Sequence, residues 1–487
     1  MRPGPIVPLA ACALAVLLAG GCKRKEPAAG GGSGTASAGS ATGSAAAACA
    51  GARPHGPLSW FEDDYPAALA CAQATQRPLV IDMWAPWCHT CLSMKTTVLE
   101  DPSLGPLAER FVFVALDTDR EVNARAVARF PPQSWPTFFV VSPADETVHE
   151  RWLGAASIGQ FRTLLEHGEA AYLASRDGGT LDPLMAQLRA GNQAATRKDW
   201  PAATAAWREL LASAPTTWPR RPDVLVSLIS AQWKAGDVPA CIDIALAHGD
   251  ETGSTASATD FLVWALTCAG DEDANPARAR AVREQAVARL TALVDDAGAP
   301  LSVDDRSDAM MNLRMALDAL GDKDGARAMA ERQLAYLADA AARAPDAWAR
   351  STFNWPRAEV HVWLGRGLEL VPALEQSAAD LPREYDPPHR LAWVLLKSGE
   401  PARAAPWAAQ AVERAYGARK VRVVGLQLEI AQALGDRAAE RAARATLVAT
   451  LEGLPPEQAQ PEALARAREE LAAMDAGAAA PAPAPAP

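Results

Sequence analysis

Cys88 and Cys91 enclose a two-residue spacer, His89-Thr90, and follow directly on Trp84-Ala85-Pro86-Trp87. Before them runs Leu79-Val80-Ile81-Asp82-Met83, a short apolar segment that reads as a buried strand. Pro86 is excluded from a helix interior, so the spacing predicts a helix that begins near Cys88. The first sulfur then lies at a helix N-terminus, where unpaired N–H groups and the dipole favour an anion. A thiolate held there is a nucleophile near neutral pH. Cys91, three residues on, shares that helix face and can resolve a mixed disulfide. A structural disulfide and half of a zinc site are the competing readings. Zinc in a structural site takes four ligands, and the sequence has no second Cys-x-x-Cys. His89 as an imidazolium would stabilise the thiolate and make the disulfide more oxidising. It is equally readable as a solvated spacer.

This stretch resembles the thioredoxin family, whose signature is a strand ending in Asp-x-Trp-Ala followed by Trp-Cys-x-x-Cys. Asp82 matches the family's buried acid, Trp135-Pro136-Thr137 its cis-proline loop, and Gly154 a glycine after the last strand. Asp101-Pro102 brings the details closer to the C-terminal domain of DsbD-type thiol reductases. The resemblance covers about a quarter of the chain. It implies a redox-active Cys88–Cys91 disulfide that needs no cofactor or metal. Cys88 attacks and Cys91 resolves. Asp82, its pKa raised by burial, accepts the Cys91 proton. Trp87, His89, Trp135, Pro136 and Thr137 are the substrate-binding candidates, with Pro136 cis. Thioredoxin often sets a lysine from the next strand against the acid. Ala115 holds that position here, so Asp82 is expected to lack the cation and to have a still higher pKa.

A net charge of −11 argues against nucleic acid as a partner, because binding phosphates requires a basic patch. The eight cysteines are too few for a disulfide scaffold in 487 residues, a length that calls for two or three domains. Residues 1–21 read as a secretory signal. Leu18-Ala19-Gly20-Gly21-Cys22 resembles a bacterial lipobox, although Ala19 stands where that motif usually has Leu. Cleavage there would lipidate Cys22 and leave the protein anchored in a bacterial cell envelope, facing the periplasm. Residues 22–56 are Gly/Ala/Ser-rich and read as a flexible tether. Cys49 lies within it and is taken as an incidental thiol in preference to a partner of Cys71, because a tether fixes no geometry.

The fold expected is an α/β thioredoxin fold at 57–172, then an all-α helical-repeat domain at 180–475 and a disordered Ala/Pro tail at 476–487. In the first domain, strands are predicted at 79–84, 111–116, 137–141 and 147–152. Helices are predicted at 63–75, 88–99, 121–129 and 157–165. From residue 180 apolar positions recur at helical spacing, as in Trp200, Ala203, Trp207 and Leu210. A helix–turn–helix unit repeats around Lys198-Asp199, Gly236-Asp237, Gly321-Asp322, Gly399-Glu400 and Gly435-Asp436, with gaps near one or two periods of 34–40 residues. This is similar to a degenerate tetratricopeptide solenoid, and a closed helical toroid is the alternative. Cys241 and Cys268 fall opposite one another across a predicted helical hairpin, which favours a structural disulfide over two buried thiols.

These readings lead to an exported, lipid-anchored thiol–disulfide oxidoreductase that reduces protein disulfides with electrons from a membrane donor, its helical domain docking substrate or partner. The second reading is an envelope scaffold with a vestigial or redox-gated thioredoxin module. The third is a metal relay through the same thiols.

Overall fold

The computed structural model describes residues 47–272 and 274–479. The signal sequence and Cys22 lie outside them, as does the tail from residue 480. Among the described residues no helix is long and apolar enough to cross a membrane.

Six strands form one sheet in the order β1-β2-β4-β3-β5-β6. They are β1 (Arg53–His55), β2 (Leu58–Glu62), β3 (Leu79–Trp84), β4 (Val112–Asp117), β5 (Thr137–Val141) and β6 (Val148–Leu153). Helix α1 (Tyr65–Thr75) precedes β3, α2 (His89–Thr96) follows it, α3 (Ala124–Arg129) precedes β5, and α4 (Ile158–Asp177) follows β6. Every residue of β3 from Leu79 to Met83 is buried, because the strand pairs with β4 on one side and β5 on the other. Its alternate side chains feed two cores. Val80 joins Phe113, Phe138 and Phe161 on one face, and Ile81 joins Val114, Phe130 and Phe139 on the other. The order and directions of the strands are those the thioredoxin resemblance implies.

The sheet begins earlier than the sequence reading placed it. Residues 53–55, assigned to the tether, form β1 and pair with β2, a strand that reading also missed. Both segments are short, and Gly56-Pro57 between them reads as linker composition. Cys49 is not an incidental thiol: it is disulfide-bonded to Cys71 of α1, with the two Cα atoms 4.9 Å apart. The β1–β2 hairpin supplies the fixed geometry that a tether would lack. The link closes a sequence separation of 22 residues. A Cys49→Ser/Cys71→Ser variant should therefore lose about 3 kcal/mol of stability in the chain-entropy account, read as a lower urea midpoint, while dithiol exchange is kept.

Sixteen helices follow among the described residues, most of them in antiparallel pairs. The pairs are α5/α6 (Pro183–Thr196, Trp200–Ser213), α7/α8 (Arg221–Lys234, Val238–His248), α9/α10 (Ala256–Asp271, Pro276–Asp295) and α11/α12 (Val303–Leu320, Lys323–Arg343). The short α13 (Ala347–Ser351) intervenes before α14/α15 (Asn354–Trp363, Gly367–Asp380), α16/α17 (Asp386–Lys397, Pro401–Arg414), α18/α19 (Gly417–Leu434, Arg437–Gly453) and a final α20 (Pro461–Ala479). All five recurring dipeptides lie at the turn inside a pair. The physical reason is shared. A left-handed residue ends the first helix (Lys198, Gly236, Gly321, Gly399 and Gly435 all have φ between 59° and 90°). At four of the five the Asp that follows caps the second helix, as Asp199 does on Ala202 N and Asp237 on Ala240 N, whereas Glu400 makes no such side-chain cap. The two double-length gaps hold the α9/α10 and α14/α15 turns. Cys241 and Cys268 are bonded across the α8/α9 hairpin, Cα to Cα 6.2 Å. The last helix runs to Ala479, past the predicted start of the tail.

The array bends around the α/β domain and touches both ends of its sheet. Gln193 of α5 donates to Val148 O of β6 at 3.0 Å, Gln160 of α4 to Ser257 Oγ of α9 at 2.9 Å, and Gln458, beyond α19, to Thr118 O after β4 at 3.3 Å.

Candidate redox site

Ala85-Pro86-Trp87 turns the chain out of β3, and Cys88 is the N-cap of α2. The Cys91 backbone N–H points at Cys88 Sγ, 3.0 Å away, as the predicted anion site requires. The two cysteines are disulfide-bonded, Cα to Cα 5.2 Å. Both are buried, and they pack with Ala85, Trp84, Trp87 and Trp135. The Trp135–Pro136 peptide bond is cis. Gly154, at φ 76°, donates its N–H to Pro136 O at 2.9 Å. A Cβ at Gly154 would collide with the Asp260 carboxylate of α9, so both its backbone conformation and its surroundings require glycine. Of the predicted substrate contacts, Thr137 is placed differently. Its side chain is fully buried and donates to Ser134 O at 2.6 Å, so that side chain braces the loop.

Asp82 is 2 % exposed, opposite Ala115 of β4 and Phe138 of β5. Burial pushes its pKa up to about 7, opposed by Lys95 and reinforced by Glu62. A cation is therefore present after all, contributed by α2 and not by the neighbouring strand. Lys95 Nζ also lies 3.2 Å from the centroid of the Trp84 ring. Asp82, Glu62, Lys95 and Trp84 line a cavity of about 360 Å³ that also touches Trp348 of α13. That cavity gives the acid a route to exchange its proton with solvent, away from the cysteines.

His89 is neither a bare spacer nor simply a thiolate partner. Its Nδ1 lies 2.9 Å from both carboxylate oxygens of Asp304 on α11. Burial works against its charge, but Asp304 and Asp308 outweigh it and raise its pKa to about 9. One ligand atom from each of these three residues lies within 4.8 Å of the others. Asp304 already engages the Nδ1 as an ion pair.

The helical domain supplies the rest of the site. Tyr385 donates to Asp119 Oδ2 at 3.1 Å, and Trp87 Nε1 donates to the same oxygen at 2.7 Å. Arg390 of α16 donates to Trp87 O at 3.1 Å, and the Arg419 guanidinium of α18 lies 4.2 Å from the centroid of the Trp87 ring. Gly417 opens α18 against the backbone of Asp119, where a Cβ would strike the Asp119 carbonyl oxygen. The two arginines lie 303 and 332 residues from Trp87, and no local motif announces these contacts.

The fold and this site define a thioredoxin-like domain: residues 60–143 match the family described as thioredoxin-like. The chain thus couples a thioredoxin-like domain to a helical-repeat region. No curated protein matches it. Among solved structures, the crystal structure of a tetratricopeptide repeat protein from Parabacteroides merdae is similar, at 11 % identity and a TM-score of 0.38. That alignment covers 60 % of this chain and 98 % of that one.

Proposed function

We propose that this protein is an exported, membrane-anchored thiol–disulfide oxidoreductase that reduces disulfides of envelope proteins. The observation that carries the reading is the Cys88 sulfur facing the Cys91 N–H at a helix N-terminus, with buried Asp82 in the preceding strand. In the reduced enzyme the Cys88 thiolate attacks one substrate sulfur, the substrate S–S bond breaks, and one substrate thiolate leaves. Cys91 then gives its proton to Asp82 and attacks Cys88 Sγ. The second substrate thiol is released and the Cys88–Cys91 disulfide remains. Two electrons have moved to the substrate, and a dithiol of a membrane protein returns them. Lipidated Cys22 would hold the protein at the membrane facing the periplasm, and the helical region would serve docking.

The deciding measurement is the reduction potential of Cys88–Cys91 in the full chain, equilibrated against glutathione, with Cys91→Ala to trap mixed disulfides. A value near thioredoxin's, about −270 mV, supports a reductant. A value near about −120 mV reverses the direction of flow and assigns the oxidising bias to His89. A pair that does not exchange leaves the envelope-scaffold reading in its place.

A further inference from the structure

Cys88 opens into a cleft of about 410 Å³ between the two parts of the molecule. Its floor is the active-site turn and the Gln133–Trp135 loop, and its far wall is Trp264, Trp355, Arg390, Arg419 and Arg422 of the helical domain. No carboxylate lines it among the described residues. Of the nearby acids, none of which is in that lining, Asp308 stands with Asp304 beside His89, and three others are already engaged. Asp386 pairs with Arg390 at 3.1 Å, Asp119 accepts from Trp87 and Tyr385, and Asp304 holds His89. Arg390 also stacks on Trp355, 4.5 Å from its centroid, and Arg419 on Trp87. Arg422 is exposed and makes no ion pair among the described residues. The clustering has a physical signature: burial and the three guanidinium groups together hold His389 neutral. A volume of this size suits a small ligand or a few residues of chain and excludes a folded domain.

We propose that this cleft selects the substrate of Cys88: a short, extended acidic peptide segment whose carboxylates flank the reacting disulfide. The inference rests on the redox reading above and adds to it the class of substrate. The arginines attract the segment and raise its local concentration at the sulfur. The tryptophans cover its apolar parts, which a small anionic disulfide lacks.

The test is the rate at which the reduced full chain is oxidised by peptide disulfides flanked by Glu, Ser or Lys, by glutathione disulfide, and by neutral hydroxyethyl disulfide. The acidic peptide should react about 10-fold faster than the neutral one at low salt, with the advantage shrinking in 0.5 M salt as charges are screened. Arg422→Gln should cut the acidic rate several-fold and the Ser-flanked peptide's rate much less, so that the ratio between them narrows. Equal rates for all three peptides would overturn the proposal, as would glutathione disulfide matching the acidic peptide. Failure of every disulfide, hydroxyethyl disulfide included, would instead remove the redox reading and this inference with it.

Discussion

Asp82→Asn is expected to slow resolution of the mixed disulfide about 100-fold at pH 8, the usual lower range for losing a positioned base. The first attack by Cys88 should change less, since that sulfur draws on the helix N-terminus and not on the acid. In the wild type, resolution should rise through pH 7, because burial raises the Asp82 pKa to about 7 and only the carboxylate accepts a proton. In the variant that inflection should vanish. Stability should move the opposite way. An acid whose folded pKa is raised favours the native state below its unfolded value, near 3.8, and penalises it increasingly up to 7. The full penalty above pH 7 is on the order of 4 kcal/mol. Asparagine removes the charge, so the variant should be more stable than wild type at pH 8 by about 1–3 kcal/mol once burial of the amide is counted. Rapid quenching of the mixed disulfide and urea unfolding at pH 5 and 8 check both halves. A variant that resolves at the wild-type rate with the same inflection would show that Asp82 is only a buried acid.

The second large effect is expected at Arg220, at the seam between the two parts. It is 1 % exposed. Its guanidinium reaches Glu150 of β6 at 3.1 Å and Asp223 of α7 at 2.9 Å, and Glu150 is itself wholly buried. Removing one member of such a set leaves buried charge uncompensated, at a cost of about 3–5 kcal/mol. Arg220→Met should lower the urea midpoint accordingly. Burial raises the pKa of Glu150 and of Asp223, while Arg220 opposes the rise at both. Without the arginine both acids protonate more readily, so the loss should be smaller at pH 5 than at pH 8. Adding Glu150→Gln and Asp223→Asn should restore most of it. A single variant within 1 kcal/mol of wild type at pH 8 would mean that water or relaxation already screens this cluster.

The parts of the fold that short-range chemistry determines were legible in the sequence. The run Leu79–Met83 could only be a buried strand, Pro86 fixed the start of the helix, and the repeated Gly-Asp turns marked five helical pairs. Cys241 and Cys268 were paired by counting residues across one hairpin. What escaped was either too short to show a period or non-local. Composition hid β1 and the Cys49–Cys71 link, because a strand of three residues inside a Gly/Ala-rich stretch has no periodicity to detect. Lys95 had no sequence signal, because it acts on Asp82 from the helix that follows the strand and not from the strand alongside. Arg390 and Arg422 belong to different helices and acquire meaning only where the array curves back over Cys88. Arg419 and Arg422 share a helix face at a spacing of three, the one local signal available.

That curvature places the site late in the history of each molecule. The cysteine pair, its acid and its proline loop are complete within residues 79–137, whereas the partners of Asp119 and Thr118 lie 266 and 340 residues further along the chain. Closing so long a loop costs little extra entropy, about 0.6 kcal/mol for each doubling of length, but it must await the arrival of the far end. A nascent chain therefore carries the Cys88–Cys91 pair with nothing over it, and the discrimination proposed above would be acquired only when α16 and α18 settle against it.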